Sequence, residues 1–174
     1  MKIGIAQINP TVGGLEQNVK SILFRYRELV SMGADLVITP ELSLTGYPPR
    51  DLLFKSHFVA DNLEAINEII DEIGEVPIIL GYVDLNTQDS GNPFENAALI
   101  IQNGQRIGKV TKSLLPSYDV FDEARYFQPS KRVQVQNING KRIGVTICED
   151  IWSEDFLPSN LYTKDSAGEL AKEG

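Results

Sequence analysis

The chain has 174 residues, of which 42% are hydrophobic and 23% are charged, and its formal net charge at pH 7 is −8. This length and composition predict one folded domain with a sizeable core rather than a disordered chain. The acidic balance argues against a nucleic-acid-binding surface, and no apolar run is long enough for a membrane span. The single cysteine cannot form an internal disulfide and the N-terminus lacks a signal-peptide pattern, so the sequence predicts a cytoplasmic protein.

Strands and helices are predicted to alternate in the first part of the chain. Strand-like segments at Lys2–Ile8 and Ala34–Pro40 flank Leu15–Met32, whose apolar residues recur at helical spacing. A second helical pattern covers Phe58–Ile73, with one apolar stripe and an acidic, solvated face. A strand, a helix and a second strand in that order are typical of a crossover unit with parallel strands, so the sequence predicts an α/β fold.

A carboxylate follows the second predicted strand. Glu41 comes directly after Pro40, and the next residues include Gly46, Pro48 and Pro49, which exclude regular structure. Ligands of open α/β sheets bind at this end of the strands, so Glu41 is a candidate site residue. The alternative is a solvated loop carboxylate. His57, the only histidine, precedes the second helix and is predicted to be a surface or capping residue. A metal site at His57 is not predicted, because the sequence has no second histidine to share it.

Two Asn-Gly pairs predict two hairpins in the second part of the chain. The pair at 103–104 joins FENAALIIQ to RIGKVTKSLL, and the pair at 139–140 lies within RVQVQNINGKRIGVTIC. The apolar runs VPIILGYV and RIGVTI predict strands that are buried on both faces. Lys112 lies near the far end of the first hairpin, where the alternative to a functional role is an exposed charge on an edge strand.

The second hairpin ends at Cys148, the only cysteine. A strand that stops at a small nucleophile and turns into a polar, helix-starting segment is typical of enzymes that expose a reactive side chain. The alternative is a buried cysteine that acts as a small hydrophobe. A carboxylate can serve as the base for a thiol, and an ammonium can lower the thiol pKa and stabilise an oxyanion. Glu41, Lys112 and Cys148 are therefore chemically sufficient to hydrolyse an amide without histidine.

Four segments carry a resemblance to the nitrilase, or carbon–nitrogen hydrolase, superfamily. In chain order they are KIGIAQINPTVG, TPELSLTGYPPRDLL, KSLLPSYDVFDEARYF and GVTICEDIW. The second and third are most similar to the N-terminal glutaminase domain of the glutamine-dependent NAD(+) synthetases. The resemblance implies an α-β-β-α sandwich of two sheets between helix layers, formed by a single carbon–nitrogen hydrolase domain over residues 1–174.

The resemblance also implies a role for each matching residue. Glu41 would be the general base, Cys148 the nucleophile that forms a thioester with L-glutamine, and Lys112 the donor that holds the oxyanion. The backbone N–H of Glu149 would be the second oxyanion donor. Two residues would support them: Glu123, which holds the lysine, and Tyr118, which helps to hold glutamine. No metal or cofactor is implied for this step.

The chain also departs from the pattern it resembles. It ends at GELAKEG, where the resemblance implies further strands, and it has no phosphate-binding loop. We therefore expect a truncated hydrolase domain and an absent synthetase domain, to which ATP and Mg would belong. The segment 157–174, which contains Pro158, Asn160 and Gly168, predicts a loop followed by the start of a helix.

The implied partners are L-glutamine, a synthetase domain and a second copy in a homo-oligomer. Because the strands beyond the last residue would close the core, the chain alone is expected to be poorly stable and weakly active. Two other functions stay open. One is a stand-alone amidase of the same superfamily, and the other is an inactive fragment that acts only by association with a partner chain.

Overall fold

The computed structural model describes residues 1–152, 162 and 164–173. They divide into two compact units, unit 1 with Met1–Leu85 and Asn96–Lys109, and unit 2 with Asn86–Glu95 and Val110–Gly174. Strands and helices are both present, which confirms the α/β class. None of the described helices combines the length and the apolar character that a membrane span requires.

A five-stranded sheet supplies the centre of unit 1. Its strands lie side by side in chain order: β1 Ile3–Ile5, β2 Leu36–Ile38, β3 Ile78–Leu85, β4 Phe94–Gln102 and β5 Gln105–Thr111. β1 and β2 are parallel with Ile3 opposite Leu36, and β2 and β3 are parallel with Val37 opposite Ile78. The predicted parallel crossover is confirmed.

Two helices complete the crossovers of unit 1. α1 Leu15–Ser31 connects β1 to β2, and α2 Phe58–Glu72 connects β2 to β3; both contact the sheet and each other. Their apolar stripes are buried with one face of the sheet, and the acids of α2 are exposed, as predicted. The main contributors to this core are Val19, Ile22, Leu23, Tyr26, Ile66, Ile69, Ile78, Leu80, Tyr82, Leu99 and Ile101.

The remaining strands of the sheet also agree with the sequence. Every residue of β3 from Ile78 to Val83 is buried, so VPIILGYV is buried on both faces as expected. β4 and β5 are joined by Asn103 and Gly104, whose φ angles of 51° and 68° are both in the left-handed region. Asn-Gly tolerates this backbone, which suits the tight turn of a hairpin.

Unit 2 has little regular structure. It contains the antiparallel pair β6 Gln136–Ile138 and β7 Lys141–Ile143, the helix α3 Ser166–Glu173, and 3-10 helices at Glu123–Arg125 and Cys148–Ile151. α3 confirms the predicted helix start, whereas the loop predicted at Pro158 and Asn160 lies outside the described residues.

Two expectations about local structure were wrong. The strand predicted to reach Cys148 ends at Ile143, and Arg142 and Gly144 are exposed. β7 pairs with the three residues of β6, and the residues from Lys141 to Thr146 are exposed or half-buried, so the predicted burial of RIGVTI on both faces is wrong. The segment predicted to be irregular after Glu41 contains a 3-10 helix, Arg50–Phe54, which begins directly after Pro49.

Candidate active site

The loop that carries Glu41 is held by a compact set of hydrogen bonds within unit 1. Thr39 Oγ1 and Ser43 Oγ are 2.8 Å apart, and Ser43 Oγ donates to the Gly81 carbonyl at 3.1 Å. The Gly81 N–H donates in return to Thr39 Oγ1 at 3.0 Å. Leu42 has a φ of 46°, in the left-handed region that non-glycine residues seldom adopt. These bonds fix the backbone on both sides of Glu41.

The carboxylate of Glu41 has a partner that the sequence analysis missed. Asn96, on β4, donates from Nδ2 to Glu41 Oε1 at 2.7 Å. Asn96 is fully buried, whereas Glu41 is half-buried. The signal was available, because Asn96 is a polar residue in a strand that is otherwise apolar from Ala97 to Ile101. A buried amide in such a strand must find a hydrogen-bond partner.

Gly81 lies against the Glu41 loop, and replacing it with alanine should be destabilising. A Cβ at Gly81 would lie 2.4 Å from the Pro40 carbonyl oxygen and 2.7 Å from the Leu42 nitrogen. Both atoms belong to the backbone, so Gly81→Ala should displace the loop at a cost of about 1–3 kcal/mol. The loss of stability is measured as the change in the free energy of unfolding in urea. Gly74→Ala is the control, since no atom lies within 4 Å of its Cβ position. Equal stability of the two variants would contradict the close approach.

Lys112 is a fully buried lysine in unit 2. It directly follows β5, and its Nζ donates to both carboxylate oxygens of Glu123, at 2.8 and 2.9 Å. Glu123 is also buried. The alternative of an exposed edge lysine is therefore excluded, and the association of Glu123 with the lysine is present as expected. A buried ammonium is tolerated only when a charge-assisted partner compensates its desolvation.

Breaking this pair should destabilise the protein strongly. Glu123→Ala leaves the Lys112 ammonium without its carboxylate, and loss of one partner of a buried pair costs about 3–5 kcal/mol. Asp122→Ala is a matched control, because the Asp122–Arg125 pair next to it is 4.0 Å long and exposed on both sides. Exposed pairs of this kind contribute little. The free energies of unfolding of the two variants are compared in urea. A Glu123→Ala variant as stable as the control would show that the ion pair contributes nothing to stability.

Cys148 begins the 3-10 helix Cys148–Ile151 and has a φ of 46°. Its side chain is exposed, which excludes the alternative of a buried hydrophobic cysteine. Non-glycine residues in the left-handed region are uncommon and concentrate at functional sites. A nucleophile on a sharp turn after an extended segment, with a short helix beginning at the nucleophile itself, presents its reactive atom to a substrate.

A buried carboxylate follows the cysteine. Glu149 is 3% exposed, and its Oε1 accepts hydrogen bonds from the hydroxyls of Tyr118 at 2.8 Å and Tyr162 at 3.0 Å. The hydrogen bond to Glu149, together with burial, raises the pKa of Tyr118 to about 12. Burial, followed by the hydrogen bond to Glu149, also raises the pKa of Tyr162. Both phenols therefore stay protonated donors near neutral pH. Tyr162 was missed because it lies outside the four motifs.

Several titratable groups of unit 2 influence the pKa of Tyr118. Cys148 and Lys112 both lie close enough to influence its pKa, the first raising it and the second lowering it. Five of the six residues predicted from the sequence, namely Lys112, Tyr118, Glu123, Cys148 and Glu149, belong to unit 2. Glu41 belongs to unit 1, where Asn96 holds it.

Two further sequence expectations concern His57 and metal ions. His57 occupies the position before α2 and is exposed, and its side chain makes no capping hydrogen bond, so of the two predicted roles the surface role is confirmed. Among the described residues, no group of three or more His, Cys, Asp or Glu side chains is placed to hold a metal ion.

Comparison with known proteins identifies the family. The carbon–nitrogen hydrolase family profile matches residues 2–165. Glutamine-dependent NAD(+) synthetase of Thermotoga maritima is 37% identical over 155 residues, which is 88% of this chain and 26% of the relative. The enzyme of the same name from Synechocystis sp. is 36% identical over 177 residues, covering 99% of this chain and 32% of the relative. The chain thus spans about a quarter to a third of the length of these curated relatives.

Solved structures agree. Glutamine-dependent NAD+ synthetase from Acinetobacter baumannii, in complex with ADP, superposes with a TM-score of 0.80 at 33% identity, covering 88% of this chain and 28% of that one. An amidase of the nitrilase superfamily from Nesterenkonia, at 17% identity and a TM-score of 0.80 over all of this chain and 62% of that one, shares the fold. The match to the family profile extends over nearly the whole sequence, and the chain belongs to the carbon–nitrogen hydrolase family.

Proposed function

We propose that this chain hydrolyses the side-chain amide of L-glutamine and releases ammonia. The observation that carries the proposal is an exposed cysteine on a left-handed turn, in the same unit as a fully buried lysine. A thiol near an ammonium ionises more readily, and the same ammonium can donate to an oxyanion. The named substrate comes from relatives that are 36–37% identical and are glutamine-dependent enzymes.

The proposed reaction has two halves. In the first, Glu41 takes the Cys148 thiol proton, Sγ attacks the amide carbon, and the carbonyl oxygen becomes an oxyanion that Lys112 and the Glu149 N–H stabilise. The C–N bond then breaks as Glu41 returns the proton to the departing ammonia, which leaves a glutamyl thioester. In the second, Glu41 takes a proton from water, the hydroxide attacks the thioester, and the C–S bond breaks as Glu41 returns the proton to Sγ, which gives glutamate and the thiol.

The surroundings of each group support its role. Glu41 has one oxygen held by Asn96 at 2.7 Å, on a loop whose backbone is fixed, and a base must be held in one orientation. Glu123 binds Lys112 Nζ through both carboxylate oxygens, which holds the lysine side chain in one direction. Tyr118, a protonated phenol that donates to Glu149, is the proposed contact to glutamine.

The relatives' name extends the proposal to the use of the ammonia. We propose that the ammonia amidates deamido-NAD at a synthetase domain, and that ATP and Mg act there rather than in the glutaminase step. The synthetase domain would be the main protein partner. Homo-oligomer formation and a cytoplasmic location remain predictions.

A substrate comparison tests the proposed function. Ammonia release by the intact protein is measured with L-glutamine and with a panel of simple aliphatic amides, with Cys148→Ala as the blank. Glutamine should be turned over fastest. Hydrolysis of the aliphatic amides with glutamine ignored would overturn the proposal in favour of a stand-alone amidase. No turnover of any amide would favour a chain that acts by association.

A further inference from the structure

Asp150 has no role in the proposed reaction, yet it is a buried carboxylate with three backbone donors. Its Oδ1 accepts the N–H groups of Ser113 at 2.9 Å and Leu114 at 2.8 Å. Its Oδ2 accepts the N–H of Ile147 at 3.2 Å. Only 3% of Asp150 is exposed. A carboxylate that accepts several backbone N–H groups is a strong tie between the segments that supply them.

The segments that Asp150 joins are those that carry two of the proposed catalytic groups. Ser113 and Leu114 directly follow Lys112, and Ile147 directly precedes Cys148. A carboxylate that only capped the 3-10 helix Cys148–Ile151 would need the Ile147 N–H alone. Here two of the three donors come from residues 36 and 37 positions earlier in the chain. The side chain therefore connects the lysine segment to the cysteine turn.

The lysine segment is tied down on its other side as well. The Lys112 carbonyl accepts the N–H of Ser130 at 2.9 Å. Lys164 Nζ donates to Ser113 Oγ at 2.9 Å and to the Ser130 carbonyl at 3.3 Å. These bonds hold the Lys112 backbone on one side, while Asp150 binds the N–H groups of the two residues that follow it.

Burial at this position has an electrostatic cost. It raises the pKa of Asp150 above its ordinary value, although the N–H groups of Leu114, Ser113 and Ile147 and the charge of Lys112 all lower it. An aspartate that served stability alone would be better placed in solvent. A buried, desolvated carboxylate that is fully bonded to two separate segments is instead suited to holding them in one geometry.

We propose that Asp150 is a positioning residue of the hydrolase, which sets the Lys112 ammonium relative to the Cys148 thiol by binding the backbone on one side of each. The inference rests on the proposed function. Removal of the Asp150 carboxylate should lower kcat with little effect on the KM for glutamine, because Asp150 sets the geometry of the reacting groups and does not bind the substrate.

Three variants of the intact protein test this proposal. Asp150→Ala should lower kcat about a hundredfold per folded molecule, since misplacement of reacting groups by about 1 Å has that effect. Asp150→Asn keeps one carbonyl oxygen for Ser113 and Leu114 but turns its NH2 group toward the Ile147 N–H, so its kcat should lie between those of the wild type and the Ala variant. Asn62→Ala is the matched control: Asn62 is fully buried and bonds the Val83 carbonyl at 2.7 Å, but it belongs to α2 of unit 1. It should lose stability with kcat unchanged.

The readouts separate this proposal from the proposed function. If glutamine is ignored but another amide is hydrolysed, the same comparison is made with that amide. If no amide is turned over, the rate of Cys148 alkylation by iodoacetamide at neutral pH replaces kcat, and Asp150→Ala should slow it at least several-fold, because the thiol loses its fixed ammonium. An Asp150→Ala variant with unchanged kcat and unchanged alkylation per folded molecule would overturn the positioning role. A rise in the KM for glutamine with kcat unchanged would also overturn it.

Discussion

Cys148→Ser is expected to abolish amide hydrolysis while leaving stability unchanged. Serine has the same branching at Cβ and fits the left-handed backbone, and the side chain at this position is exposed, so neither packing nor strain changes. The hydroxyl is far less acidic than the thiol and cannot be ionised by a neighbouring ammonium at neutral pH, so the attack on the amide carbon is lost.

Ammonia release from L-glutamine measures the loss. In parallel, a glutamine-mimicking electrophile should alkylate the wild-type protein once, at Cys148, as mass spectrometry would detect, because the chain has no other thiol. The serine variant should remain unmodified. Thermal unfolding of both proteins provides the folding control. Activity retained in the serine variant would remove the covalent thioester from the mechanism.

Lys112→Ala should reduce turnover by about a hundredfold or more, the typical cost of losing one oxyanion donor. From its place at a strand end in the sequence, removal of this lysine is expected to leave the fold largely intact. Its burial changes that expectation, because the substitution leaves the Glu123 carboxylate buried without its cation, at a cost of about 3–5 kcal/mol. Lost activity in this variant alone could therefore come from unfolding.

The double variant Lys112→Met, Glu123→Leu separates catalysis from folding. Replacing a buried ion pair with apolar residues of similar size is often neutral or stabilising. We therefore expect unfolding free energy close to wild type, with turnover still suppressed about a hundredfold or more. Lys112→Arg should not restore activity, because a planar guanidinium cannot occupy the place of the compact ammonium. A double variant that runs within a few-fold of wild type would show that Lys112 serves only stability.

The sequence by itself determined the local elements of unit 1. The helices at Leu15–Ser31 and Phe58–Glu72 and the parallel strands around them follow from apolar spacing within a few turns or pleats. Each of the two hairpins is predicted by a single Asn-Gly pair at its turn. The motifs around Glu41, Lys112 and Cys148 likewise lie within short segments, and they identified the family.

Only the tertiary structure decided how the candidate groups are held. Asn96 reaches Glu41 across 55 positions, and Asp150 reaches Ser113 across 37. No periodicity encodes such contacts, because they depend on which distant segments pack together. For the same reason the sequence overestimated the strand before Cys148. Its apolar residues predicted burial, but a strand also needs a neighbour to bond, and the described partner of β7 is only three residues long.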